Sequence, residues 1–155
     1  MKWFLVLPSS ALLVSTLEHK LLWVNSMPNI LCIGNRHRLA PLIKDEVGKA
    51  GYSALLQTPR EALQGGGNSH ESAAVILDWE ANRKQSHRIL QLLKSANLPV
   101  VVLTSHVVEA YGSEPFADLY LEKPTSAQAL ATLVLELIRL ERERKSSPQA
   151  GAIAA

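Results

Sequence analysis

One cysteine in 155 residues, Cys32, excludes an intramolecular disulfide and a cysteine-rich metal site, and it suits a reducing, cytoplasmic compartment. Charge of one sign is lacking too. Sixteen Lys and Arg against fourteen Asp and Glu leave a net +2, far from the basic excess that phosphate-backbone binding shows, so nucleic acid is not an expected partner. The uncharged run at the N-terminus, Trp3 to Leu17, has fifteen residues and a proline, short of the about eighteen expected of a membrane span. No HExxH, no G-x-S-x-G and no dinucleotide-type glycine fingerprint occurs. The glycine run Gly65 to Ser69 (GGGNS) lacks the spacing and trailing lysine of a phosphate-cradling loop and reads as a surface linker. What is present is ordinary globular composition, 47% hydrophobic and 19% charged, in a length that suits one domain.

The first 28 residues stand apart. A secretory signal would carry a more basic start than Lys2 alone and a small-x-small cleavage site, and here charge returns at Glu18 and Lys20. Leu13, Leu17, Leu21 and Val24 make a helical stripe, so residues 1–28 read either as an appended helix or as a leader ahead of a second start at Met27.

After Pro28 apolar runs and helical stripes alternate. Asn29–Ile33 (NILCI) predicts a strand buried on both faces, and Leu39 to Ala50 a helix ended by Gly51. Tyr52–Leu56 predicts a weaker strand, then a short helix from Pro59 to about Gln64. Ala73–Leu77 is a buried strand ending at Asp78, followed by a helix whose apolar face is Ile89, Leu92, Leu93 and Ala96. Pro99–Leu103 (PVVVL) is the strongest strand signal and ends at Thr104 and Ser105. Leu119–Leu121 ends at Glu122, Lys123 and Pro124, before a long helix with Leu130, Leu133, Val134, Leu137 and Ile138 inward. Five strands alternating with helices imply an α/β fold with a parallel sheet covered on both faces, a three-layer sandwich.

In such sheets chemistry collects at the carboxyl ends of the strands. Those ends carry Gly34, Asn35 and Arg36, then Asp78, then Thr104 and Ser105, then Lys123 and Pro124. The set resembles the receiver domain of two-component response regulators, a flavodoxin-like fold, over about Asn29 to Arg142. In VILDWE, Asp78 falls on the family's phosphoacceptor; in VVLTSH, Thr104 falls on the hydroxyl that bonds the phosphoryl group; in YLEKP, Lys123 falls on its lysine and Tyr120 on its rotating aromatic. The resemblance implies a usually cis Lys123–Pro124 bond. It also implies a reaction in which aspartate takes phosphate from a kinase phosphohistidine while lysine and magnesium neutralise the oxygens.

The chain departs from that pattern where the family keeps its metal-binding acidic pair, because Gly34 and Asn35 stand there. Magnesium is a hard cation that relies on carboxylates, and one unit charge pair at about 4 Å is worth roughly 4 kcal/mol at an effective dielectric of about 20. Phosphorylation at Asp78 is therefore doubtful, no cofactor is required, and any magnesium binding is weak. Arg36, with Arg38 nearby, is the candidate substitute cation for Asp78 or a bound anion beside Lys123. The plainer role for Asp78 is to cap the next helix or pair with Lys123. Eighteen residues separate Thr104 from Lys123, a few fewer than the family has, so the fourth helix is expected to be short around Val107 to Tyr111.

His37 and His106 follow strand ends but lack a third ligand and read as loop residues; Cys32 reads as an inert buried thiol and Trp79 as a core or rim side chain. Mixed charges from Glu141 to Lys145 read as a solvated helix end, and residues 146–155 as a flexible tail. With residues 29–145 as the receiver-like domain and no output domain after it, the expected role is a stand-alone, non-enzymatic signalling domain. It acts by docking a protein, either a histidine kinase or a downstream signalling protein, with a homodimer left open. Two alternatives stand: a working single-domain response regulator that accepts phosphate on Asp78, and a small flavodoxin-like anion-binding module or enzyme.

Overall fold

Short apolar strands and amphipathic helices alternate along the residues that the computed structural model describes, 27–65, 71–79, 83–113 and 116–147. The strands are β1 (Asn29–Ile33), β2 (Ser53–Gln57), β3 (Ser72–Asp78), β4 (Val100–Thr104) and β5 (Leu119–Glu122). They form one parallel sheet in the order β2-β1-β3-β4-β5. The helices between them are α1 (Arg36–Lys49), α2 (Pro59–Leu63), α3 (Arg83–Lys94), α4 (Val107–Ser113) and α5 (Ala127–Ser146). This is the five-stranded, three-layer, flavodoxin-like architecture expected above. The extension at residues 1–28 and the tail at 146–155 lie almost wholly outside the described residues, as does most of the glycine run.

The alternation of side chains along each central strand builds two cores. Ile30, Cys32, Ala74, Ile76, Val101 and Leu103 face Ile43 and Val47 of α1 and Leu130, Val134 and Ile138 of α5. Leu31, Ile33, Val75, Leu77, Val100 and Val102 face Ile89, Leu90 and Leu93 of α3 and Ala110 of α4. Both faces are apolar because both are covered, which is why β1, β3 and β4 read as unbroken hydrophobic runs. Full burial of each such side chain is worth about 1.5–3 kcal/mol.

Local chemistry sets the ends of the helices. α1 stops where Gly51 takes φ +82°, a left-handed conformation that glycine reaches without a Cβ penalty. It starts at Arg36, three residues before the expected Leu39. α2 has Pro59 in its first turn and a capping box in which Thr58 and Glu61 satisfy each other's backbone N–H groups. The expected face of α3 is corrected: Leu92 is 57% exposed, Leu90 is buried, and Ala96 lies beyond the helix. The inward stripe is Ser86, Ile89, Leu90 and Leu93, and the Ser86 hydroxyl donates to the Trp79 carbonyl at 3.1 Å. On α5, Leu133 is likewise more exposed than its place in the stripe implied. Among the described residues no helix is long and apolar enough to cross a membrane.

Candidate functional site

Strand order reverses between β1 and β3, since β1 leads outward to β2 while β3 leads away to β4. Loops leaving the carboxyl ends on either side of such a reversal part and open a crevice. Asp78, the last residue of β3, pairs in register with Leu103, so Thr104 is the next residue along β4. Thr104 in turn pairs with Glu122 of β5, and its carbonyl accepts the N–H of Lys123 at 3.0 Å. Three consecutive strand ends therefore bring Asp78, Thr104 and Lys123 to one edge.

Asp78 and Lys123 are in direct contact. Lys123 Nζ donates to Asp78 Oδ1 at 2.6 Å, with the carboxylate side chain 6% exposed and the lysine side chain 26% exposed. Of the two plainer roles expected for Asp78, this is the pairing with Lys123; the segment between Trp79 and Arg83, where a cap would form, lies outside the described residues. The Lys123–Pro124 peptide bond is cis.

Thr104 is fully buried, and its hydroxyl oxygen accepts the backbone N–H of His106 at 3.0 Å, which shapes the turn into α4. Tyr120 is half-buried against the core on the α3 side of the sheet. Its hydroxyl accepts the Ala117 N–H at 3.3 Å, and its ring meets that of Tyr111 edge-on at 5.5 Å. α4 is seven residues long, as the short spacing implied.

At the end of β1, Gly34 is buried and its N–H donates to the Gln57 carbonyl at 2.9 Å, while Asn35 is exposed. The side chains of Arg36, His37 and Arg38 lie outside the described residues, so the substitute cation and one member of the histidine pair fall there, while His106 is exposed. Among the described residues the strand ends bring Asp78 and no second carboxylate toward a magnesium ion. Gly34 supplies no side-chain oxygen, Asn35 a neutral amide, and one oxygen of Asp78 is already held by Lys123. Among the described residues no group of three His, Cys, Asp or Glu side chains could hold a metal ion.

Cys32 is buried in β1, where desolvation pushes its thiol up to about 12 and leaves it inert. Trp79 is a core side chain. The sequence did not point to the open groove of about 450 Å³ beside the site, lined by Ser105 to Glu109 and Glu122. The signal available for it was the apolar pair Val107 and Val108 opening the short helix after β4, and Val108 is 87% exposed.

No family model matches the chain, and no curated protein does either. Solved structures do. A response regulator receiver domain protein from Clostridium thermocellum is 23% identical, with a TM-score of 0.62 over 76% of this chain and 98% of that one. A CheY-like receiver domain protein from Methanospirillum hungatei is 15% identical, with a TM-score of 0.64 over 77% of this chain and 99% of that one. The chemotaxis response regulator CheY4 of Vibrio cholerae is 18% identical, with a TM-score of 0.61 over 72% of this chain and 99% of that one. At these identities the likeness is one of fold, and the fold is that of receiver domains.

Proposed function

We propose that this chain is a receiver-like signalling domain that acts by docking a protein and does not rely on magnesium-dependent phosphorylation of Asp78. The observation that carries the reading is the Asp78–Lys123 ion pair at 2.6 Å, in a site whose first strand ends in Gly34 and Asn35. In the resembled reaction the aspartate attacks phosphorus while a metal gathers the phosphoryl oxygens. Here the nucleophile's charge is matched by an ammonium, and the strand end beside it brings no carboxylate to hold a metal. The domain then presents a fixed edge and fixed flanking helices to its partner. Placement in a signalling role comes from the shared fold and from the Asp78, Thr104, Lys123 and Tyr120 positions taken together. The occupant of the docking surface is a protein, with a histidine kinase and a downstream signalling protein as the two kinds that the resemblance supplies.

The test is a phosphodonor experiment. The protein is incubated with acetyl phosphate, with and without millimolar magnesium, and Asp78 is followed by intact-mass measurement beside Asp78→Asn. No magnesium-dependent label is expected. A label that appears only with magnesium and vanishes in Asp78→Asn overturns this reading and makes the chain a working phosphate acceptor.

A further inference from the structure

The twelve residues of α3, RKQSHRILQLLK, contain four cations and no acid. α5 pairs three of its four cations, while Arg142 lies over the Tyr52 ring. Arg139 pairs with Glu136 and Glu143, and Arg144 and Lys145 both pair with Glu141. Among the described residues, Lys84 and Arg88 of α3 are exposed and make no ion pair, and the same holds for Arg60 on the adjoining α2. The acid on α2, Glu61, is turned to its own helix cap, where its carboxylate accepts the Thr58 N–H at 2.7 Å.

Lys84, Arg88 and Gln91 recur at spacings of four and three, so they form one line along the outer face, about 10 Å long at the helical rise. Leu92, 57% exposed, stands beside that line, and Lys94 sits on its other side, 4.0 Å over the Phe116 ring. Like charges four residues apart disfavour a helix on its own. A face that concentrates the positive charge of a chain with net charge +2 answers to something outside the chain.

We propose that the outer face of α3 is a docking surface for an acidic, amphipathic helical segment of a protein partner, with its carboxylates toward Lys84 and Arg88 and an apolar side chain on Leu92. A protein segment fits better than a membrane, because Leu92 is the one large apolar side chain exposed among the described residues of α3 and inserting it would bury little surface. It fits better than nucleic acid, because the basic stretch is short and the whole chain is nearly neutral. The inference rests on the docking reading above for its class of partner. Its readout is on α3, whereas that reading is tested by a label on Asp78, so either can fail alone.

The test titrates the isotope-labelled full chain with three probes: a synthetic helical peptide carrying glutamates at four-residue spacing with leucines between them, phosphatidylserine vesicles, and duplex DNA. The peptide is expected to shift the amides of Lys84 to Ser95. Arg88→Glu should weaken its binding about tenfold, and Lys44→Glu, the same charge change on an exposed residue of α1, by less than about twofold. Equal losses in the two variants, shifts confined to other elements, no binding of the peptide, or tighter binding of vesicles or DNA would each overturn the proposal. Circular dichroism of both variants confirms that the fold is kept.

Discussion

Lys123 Nζ stands 2.6 Å from Asp78 Oδ1, joining the ends of β5 and β3 across the intervening β4. The aspartate side chain is 6% exposed and the lysine 26%, so the carboxylate depends on the ammonium far more than the reverse. Lys123→Met should therefore cost about 2 kcal/mol, below the range for a fully buried pair because the lysine is partly solvated. Asp78→Asn, which leaves the lysine free to turn to water, should change stability by less than about 1 kcal/mol. The double variant should lose less than the sum of the singles. Urea unfolding of the four proteins measures this, and strict additivity would show that the contact is energetically idle.

The face that α3 turns to the core has its own stability consequence. Leu90 is 2% exposed among Ile89, Leu93 and the strands, while Leu92 is 57% exposed. Leu90→Ala should cost about 3 kcal/mol and Leu92→Ala less than about 0.5 kcal/mol. Comparable losses by thermal or urea melts would place the helix in the orientation that the sequence alone suggested.

The strands were legible and the helix face was not, for one physical reason. β1 is buried on both faces, so its hydrophobic run ends where the strand ends, and Asn29–Ile33 is read without error. β2 and β4 slip by one residue, because Tyr52 and Pro99 continue the apolar pattern one residue ahead of the strand. On α3 the inward stripe begins with a serine, and hydropathy discards it. Ser86 is fully buried only because its hydroxyl reaches the Trp79 carbonyl, a contact made by the fold rather than by periodicity. The site shows the same division. Asp78, Thr104 and Lys123 were readable as strand-end residues, whereas the Thr104 bond to the His106 N–H and the Tyr120 bond to the Ala117 N–H depend on loop paths that spacing does not encode.

That buried hydroxyl gives a third expectation. Ser86→Ala leaves the Trp79 carbonyl without its side-chain donor in a dry environment, and should cost about 1–2 kcal/mol. Ser95→Ala removes a hydroxyl that donates to the Leu92 carbonyl at 2.9 Å, but in full contact with water, where the loss should be within about 0.5 kcal/mol. Chemical denaturation separates the two, and a silent Ser86→Ala would mean that the bond to Trp79 adds nothing net.

Cys32 supplies the pH-dependent case. Burial in β1 raises its thiol from 9.0 to about 12, and its Sγ points to the Ile30 carbonyl. A thiol whose folded value is raised stabilises the native state fully below about pH 9. Above that, the unfolded chain loses its proton while the folded chain keeps it, so stability falls with rising pH until about pH 12, by about 1.4 kcal/mol per pH unit from this group. Cys32→Ala should be less stable at pH 7 because of the cavity it leaves, yet its stability should fall less steeply between pH 9 and 11 than that of the parent. At pH 8 the folded thiol stays protonated and shielded, so a thiol reagent such as dithionitrobenzoate should label the native protein no faster than the protein unfolds, and label it at once in urea. Rapid labelling of the native protein at pH 8, or parallel pH profiles for parent and variant, would place the thiol in a wetter environment than the interior of β1.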